Sequence, residues 1–484
     1  MLTIKSSDEE KRWRCLLSFM AAALLFFYLI CPAAPARWAD LYSSYGKAAI
    51  FAMAALYFYK CGISGAVEVK LVIAYTVWMF ISRLLCSDLY LQNELDLVIS
   101  RILCCVIFPI GMKLDGKERE RLLDVVIAVS GAFFFVTALL SLYACIFGVF
   151  FYIPPEHSVF GRDNNFFGAG FNYIVAWDTN RTISASWFYI AWCMMVYEFF
   201  HCRKKLWRIP IVIASLVFFL AVDFCYCRSV KLIICLNIAM LLLLLGIKYI
   251  KLKKPAQKVL VLVLIAAVSL PLSYKSFDAA LAVSAKAYNA LDVDIERTSD
   301  QFLGTNYQAR IENGQTFEDT RDLKESISTG SGRLEIFRAA VPAIKNEPLR
   351  LITGKLTSKV MLGVNDVLRQ SPTYLCDIFH MHNYLLQTLM LTGIIGFALV
   401  LAFTVFLVIR MVKLFFRDSV SMSVKCLTLP LSGILVYGMF ETVIFTNCAD
   451  KRSAMTDFRE LFFFFLAGIL FSYYYETFSA DQKD

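Results

Sequence analysis

The sequence predicts an all-α polytopic membrane protein with about twelve transmembrane helices and a large external loop, carrying short helices, between the ninth and tenth spans. Three observations carry this expectation. Of the 484 residues, 59% are hydrophobic and only 18% are charged, and soluble domains seldom exceed about half apolar. Apolar runs of spanning length recur along the chain, whose mean hydropathy is +0.62. Lysines and arginines gather in short connectors that all fall on one side of the predicted bundle, as positive-inside topology requires. That clustering also accounts for the net charge of +9, which is therefore not the footprint of a nucleic-acid partner.

The predicted spans fall near residues 15–33, 46–62, 68–86, 97–113, 122–149, 183–201, 207–226, 229–249, 258–274, 383–410, 424–446 and 459–476. The first run is followed by Ala33-Ala34-Pro35-Ala36-Arg37, a weak cleavage-like flank. It reads as a retained helix that also serves as the insertion signal. Residues 1–149 thus hold spans one to five. The basic segments are Lys11, Arg12 and Arg14; Lys113, Lys117, Arg119 and Arg121; Arg203, Lys204, Lys205 and Arg208; Lys248, Lys251, Lys253 and Lys254; and Arg410, Lys413 and Arg417. All five lie on the same side, which assigns them, the N-terminus and the tail at 477–484 to the cytoplasm.

Two connectors on the opposite side are long. Residues 150–182 are rich in Gly, Asn and aromatics. After spans six to nine (183–274), residues 275–381 form the largest polar block, and a loop of that length in a membrane protein is normally a functional domain. Leu281, Val283, Ala287 and Leu291 recur at helical spacing near its start, and Ile336, Phe337, Ala340, Val341 and Ile344 do so near its end. Short helices lying over the outer face of the bundle are expected there. Residues 382–476 hold spans ten to twelve. Most of the fifteen cysteines lie inside apolar runs, such as Cys104, Cys105, Cys193 and Cys235, where they act as small packing residues. No CxxC pair with metal-ligand spacing is present, so neither a zinc site nor a disulfide framework is expected.

Only four histidines occur in the chain, and two stand in Phe379-His380-Met381-His382-Asn383, where the polar block meets an apolar helix. An imidazole on the first turn of a spanning helix is a candidate acid/base group. The plainer reading, a pair marking an interfacial helix start, is left open by residue chemistry alone. His380 and His382 without a third ligand make a poor metal site. Arg228 sits in Cys227-Arg228-Ser229, between two spans with almost no loop. It either snorkels or pairs with Asp223, or it faces an outward cavity and binds an anion such as phosphate. Arg181 opens the sixth span, Arg162 lies in the loop before it, and Arg333 lies in Ser331-Gly332-Arg333 of the large loop. Glu441, at the outer part of the eleventh span, is an intramembrane carboxylate and a candidate partner for one of these arginines.

Together these pieces resemble the O-antigen ligase and O-antigen polymerase family of bacterial envelope glycosyltransferases. The resemblance rests on His382-Asn383, nine residues, then Gly393-Ile394-Ile395-Gly396; on Ser331-Gly332-Arg333 with Phe337 where Trp is usual; on Cys227-Arg228-Ser229 in place of Ser-Arg; and on Arg181. It covers roughly residues 160–475, and the first five spans match only as generic spans. It implies transfer of a glycan from a polyprenyl-diphosphate-linked oligosaccharide to a hydroxyl of a glycan or lipid-linked acceptor, on the external face of the bacterial cytoplasmic membrane, in contact with membrane lipid. His382 would be the general base. Arg181, Arg228, Arg333, His380, Asn383 and Glu441 would form the diphosphate and substrate site, with no cofactor and no metal. Ligase and polymerase share this chemistry and differ only in acceptor. A transporter or flippase of lipid-linked sugars is the alternative from another class, since many spans and intramembrane charges occur there too. Against it stand one oversized loop and the lack of an internal repeat.

Overall fold

The structure, a computed structural model, describes residues 8–30, 47–61, 65–85, 91–114, 116–147, 150–153, 165–170, 173–175, 181–225, 227–250, 255–290, 336–340, 342, 350–354, 381–441, 443–445 and 458–480. These form α1 (Asp8–Ile30), α2 (Lys47–Cys61), α3 (Val67–Leu84), α4 (Leu91–Lys113), α5 (Gly116–Phe147), strands β1 (Phe150–Ile153), β2 (Asn165–Gly170) and β3 (Tyr173–Val175), then α6 (Arg181–His201), α7 (Arg208–Phe224), α8 (Arg228–Tyr249) and α9 (Pro255–Ala290), followed by α10 (Arg350–Thr353), α11 (Tyr384–Phe416), α12 (Met422–Cys426), α13 (Thr428–Gly438) and α14 (Phe458–Ala480). Among the described residues, six helices are long and apolar enough to cross a membrane, and three shorter apolar helices accompany them.

The sequence dictates which face each helix buries. In α11, Val400, Phe403, Leu407, Met411 and Leu414 are buried, while Leu401, Val405, Val408 and Val412 are exposed. Both stripes are apolar and both repeat every three to four residues, the pattern of a helix that meets protein on one side and hydrocarbon on the other. By contrast α14 is surrounded, with Leu461 through Ala467 each at most 1% exposed. Its closest neighbour is α4. A Cβ on Gly468 would lie 2.2 Å from the Phe108 carbonyl oxygen, and one on Gly111 would lie 2.9 Å from that of Phe465. The two backbones therefore touch through reciprocal glycines, the packing that small residues permit between helices in lipid. The Phe108 ring meets Phe403, Phe464 and Phe471 edge-on at 5.5, 6.3 and 5.6 Å. Polar pairs close both ends of α14. Arg101 on α4 forms a buried ion pair with Glu460, and Arg119 on α5 reaches Glu476 at 2.8 Å. Near the second of these, Arg410 donates to Glu68 at 3.2 Å and to the Tyr474 hydroxyl at 2.8 Å.

Several expected boundaries shift. The amphipathic stretch from residue 279 is not a separate helix over the bundle but the continuation of α9, which runs unbroken past residue 275 to Ala290 with Pro271 inside it. The connector at 150–182 contains a small antiparallel meander, with Phe150 opposite Gly168 and Gly168 opposite Val175. The expected eleventh span is divided into α12 and α13 at Leu427. The expected tenth span is also divided, because Gly393 inside α11 has φ 68° and ψ −170°. Residues 384–392 are thus a short helix of their own, and the long apolar helix begins after the break. Residues 336–340 are helical as expected, with Ile336, Ala339 and Ala340 buried.

Candidate functional site

The site grows from the start of α11. Asn383 is its N-cap: the extended backbone there (φ −158°, ψ 121°) lets the Asn383 side chain accept the Leu386 N–H at 2.9 Å, satisfying one of the donors a helix start leaves open. The same side chain donates from Nδ2 to the Met439 carbonyl at 3.2 Å. Two residues earlier the Met381 N–H donates to Gln387 Oε1 at 2.8 Å. Between these two anchors His382 adopts φ 49°, the left-handed region that a histidine rarely occupies. His382 therefore stands just outside the helix rather than on the first turn of a span.

Its partner is Glu441. His382 Nδ1 lies 3.0 Å from Glu441 Oε2, with 28% of the imidazole and 14% of the carboxylate side chain exposed. An ionised carboxylate only accepts, so the hydrogen in this contact belongs to Nδ1, and Nε2 is left as the nitrogen able to take a proton. Glu441, expected at the outer part of the eleventh span, lies just beyond the end of α13 and against His382. The last turn of α13 delivers it there. The Glu441 N–H bonds the Tyr437 carbonyl at 2.9 Å. Gly438 faces the Tyr384 ring, where a Cβ would come within 2.8 Å of a ring carbon.

The spacing between His382-Asn383 and Gly393-x-x-Gly396 acquires a physical reason. A Cβ at Gly393 would lie 2.1 Å from the Ile352 carbonyl oxygen, and one at Gly354 (φ 76°) would lie 2.3 Å from that of Leu391. The short α10 is thus seated against the break in α11. Trp78 Nε1 donates to the Thr392 carbonyl at 2.7 Å, and Ser82 donates to the Thr353 carbonyl. Carbonyls that a broken helix cannot pair internally are taken up by α3, which an apolar surrounding demands.

The other expected residues are distributed as follows. Arg228 is the first residue of α8 and half-buried. Asp223, one reading of its partner, is met by Lys231 at 2.5 Å. Arg181 is the first residue of α6. His380 and Arg333, with Arg162, lie outside the described residues. Among the described residues no three His, Cys, Asp or Glu side chains gather as a metal site.

Sequence reasoning missed Tyr437, Ser186 and Arg459. The Tyr437 hydroxyl donates to the Thr182 carbonyl at 2.9 Å. Arg459 Nη1 donates to Ser186 Oγ at 2.9 Å, and Cys227, Glu441 and Arg459 all lie within electrostatic reach of Tyr437. The first turns of α6 and α14, the lead-in to α8, the entry to α11 and the exit from α13 are therefore gathered in one region. Arg459-Glu460, two charges opening a strongly apolar run, was the available signal. No protein-family model matches the chain, and no curated protein matches its sequence.

Proposed function

We propose that the protein is an integral-membrane glycosyltransferase that moves a glycan from a polyprenyl-diphosphate carrier to an acceptor hydroxyl at the external face of the bacterial cytoplasmic membrane, as a polysaccharide polymerase or ligase. The observation that carries this reading is the His382–Glu441 pair at 3.0 Å, partly open to solvent beside several helix ends. The reading also takes the full set of about twelve spans, with both termini cytoplasmic, from the hydropathy and charge pattern.

In this mechanism His382 Nε2 takes the proton from the acceptor hydroxyl as its oxygen bonds to the anomeric carbon. The bond from that carbon to the diphosphate oxygen breaks, and its electron pair leaves with the polyprenyl diphosphate. Glu441 holds the imidazole by Nδ1 and balances the imidazolium that forms, the role a carboxylate plays in other His-based sites. Arg228 and Arg181, each opening a helix, supply positive charge beside the positive ends of those helix dipoles, which suits the charge growing on the leaving group. Asn383 sets the start of α11 and hence the His382 side chain. Arg333 and His380 are further candidates from the large loop.

The test is glycan analysis of a strain lacking the protein and complemented with wild type or His382→Ala. A loss of polymer with single repeats left on the carrier identifies a polymerase, and full-length polymer left on the carrier identifies a ligase. Normal polysaccharide from His382→Ala would overturn the assignment and favour transport of lipid-linked sugars.

A further inference from the structure

The first turn of α6 is held by two side chains that its own hydrogen bonding does not require. Tyr437, 2% exposed, donates its hydroxyl to the Thr182 carbonyl at 2.9 Å. Arg459, 5% exposed, donates to Ser186 Oγ at 2.9 Å, and Ser186 in turn donates to the Ile183 carbonyl at 2.7 Å. The Thr182 carbonyl is thus held directly from α13, and the Ile183 carbonyl is held by Ser186, whose hydroxyl is in turn held from α14. Carbonyls in a first helical turn already accept intrahelical bonds, since it is the N–H groups that a helix start leaves open. The extra donors therefore fix where the turn sits rather than satisfy it. Tyr437 stands one turn before Glu441 on the same chain segment, and the Glu441 N–H is bonded to the Tyr437 carbonyl. One residue therefore links the His382–Glu441 pair to the turn that Arg181 opens.

We infer that Tyr437, Ser186 and Arg459 are positioning residues that clamp the start of α6, the helix that Arg181 opens, against the segment that carries Glu441, so that one bound carrier diphosphate meets both Arg181 and His382. This rests on the proposed transfer reaction. The clamp has a chemical logic, because a 1 Å displacement between a leaving-group contact and a proton acceptor is costly in a reaction that depends on orientation. A guanidinium that recognises a diphosphate by a forked pair of bonds is more sensitive to its angle than a point charge.

The experiment uses the full-length protein in lipid nanodiscs with undecaprenyl diphosphate as probe. Wild type, Tyr437→Phe, Ser186→Ala, Arg181→Lys and the Tyr437→Phe/Arg181→Lys double variant are compared for carrier affinity and melting temperature, with hydrogen exchange of the 181–188 peptide recorded for the first three. Loss of one neutral hydrogen bond predicts that Tyr437→Phe weakens binding about tenfold. Exchange at 181–188 rises, and the melting temperature stays within the scatter of wild type. Ser186→Ala behaves in the same direction. Because the clamp acts through Arg181, the double variant binds no more weakly than Arg181→Lys alone. Unchanged exchange in Tyr437→Phe, or losses that multiply in the double variant, would overturn the clamp. A wild-type protein that binds no carrier would overturn the donor assignment itself, and raised exchange in Tyr437→Phe would then show that the clamp exists without that ligand.

Discussion

His382 holds a left-handed backbone at φ 49°, a conformation that costs about 1–3 kcal/mol for a residue with a side chain. Strain of that size persists where the surroundings fix it, and here Asn383, Gln387 and Glu441 do so from three directions. Glu441→Gln keeps the shape of the carboxylate and removes its charge. It is expected to lower turnover by at least about tenfold, because Nδ1 loses the charge that orients the ring and balances the imidazolium, with little change in melting temperature. A steady-state assay with lipid-linked oligosaccharide checks this; unaltered turnover would make Glu441 a bystander. At this scale the sequence was half legible. The His-Asn pair stood out because histidines are scarce and the polarity changes abruptly there. Its contact with Glu441 spans 59 residues of chain, and nothing in the local sequence joins residues that far apart.

Between residue and fold stand the broken helices. Gly393 is needed twice, for its φ of 68° and for the 2.1 Å approach of the Ile352 carbonyl to where a Cβ would be. Gly393→Ala is expected to destabilise by more than about 1 kcal/mol, because a strained φ and a backbone clash add. It should also displace residues 384–392 and lower activity in step. Ile394→Ala, at a 49% exposed neighbouring position, is the matched control, and thermal unfolding in detergent compares them. Spans such as α6, α7 and α8 were legible to within about two residues, because their apolar runs end at charges. The break in α11 was not, since apolar residues continue through Gly393 and the contact that demands it comes from Ile352 and Gly354. The run of α9 into the polar block was missed for the opposite reason. Its helical spacing was seen from residue 281, but the drop in hydropathy suggested an end where the helix simply continues.

For the whole molecule, α14 is deeply enclosed, with Leu461 through Ala467 each at most 1% exposed, and its polar ends are the sensitive points. Glu460→Gln removes the charge of one half of a buried ion pair with Arg101. Such losses cost about 3–5 kcal/mol, so this variant should show a large fall in melting temperature, read by thermal unfolding in detergent. Glu476→Gln serves as the comparison, since Glu476 is 52% exposed and its loss should cost under about 1 kcal/mol. Helical class and membrane-spanning length were legible from composition because lipid rewards the same residues along the whole span. The convergence of five chain segments on one region was not, because it depends on reciprocal glycines and single hydrogen bonds between residues far apart in sequence. Whether His382 and Glu441 act as one unit in the proposed glycosyl transfer is read from a double-mutant cycle on turnover with His382→Ala, Glu441→Gln and the combined variant. Residues acting as a unit give a double variant no slower than His382→Ala alone. Losses that multiply would show that the two side chains contribute independently and would contradict the account.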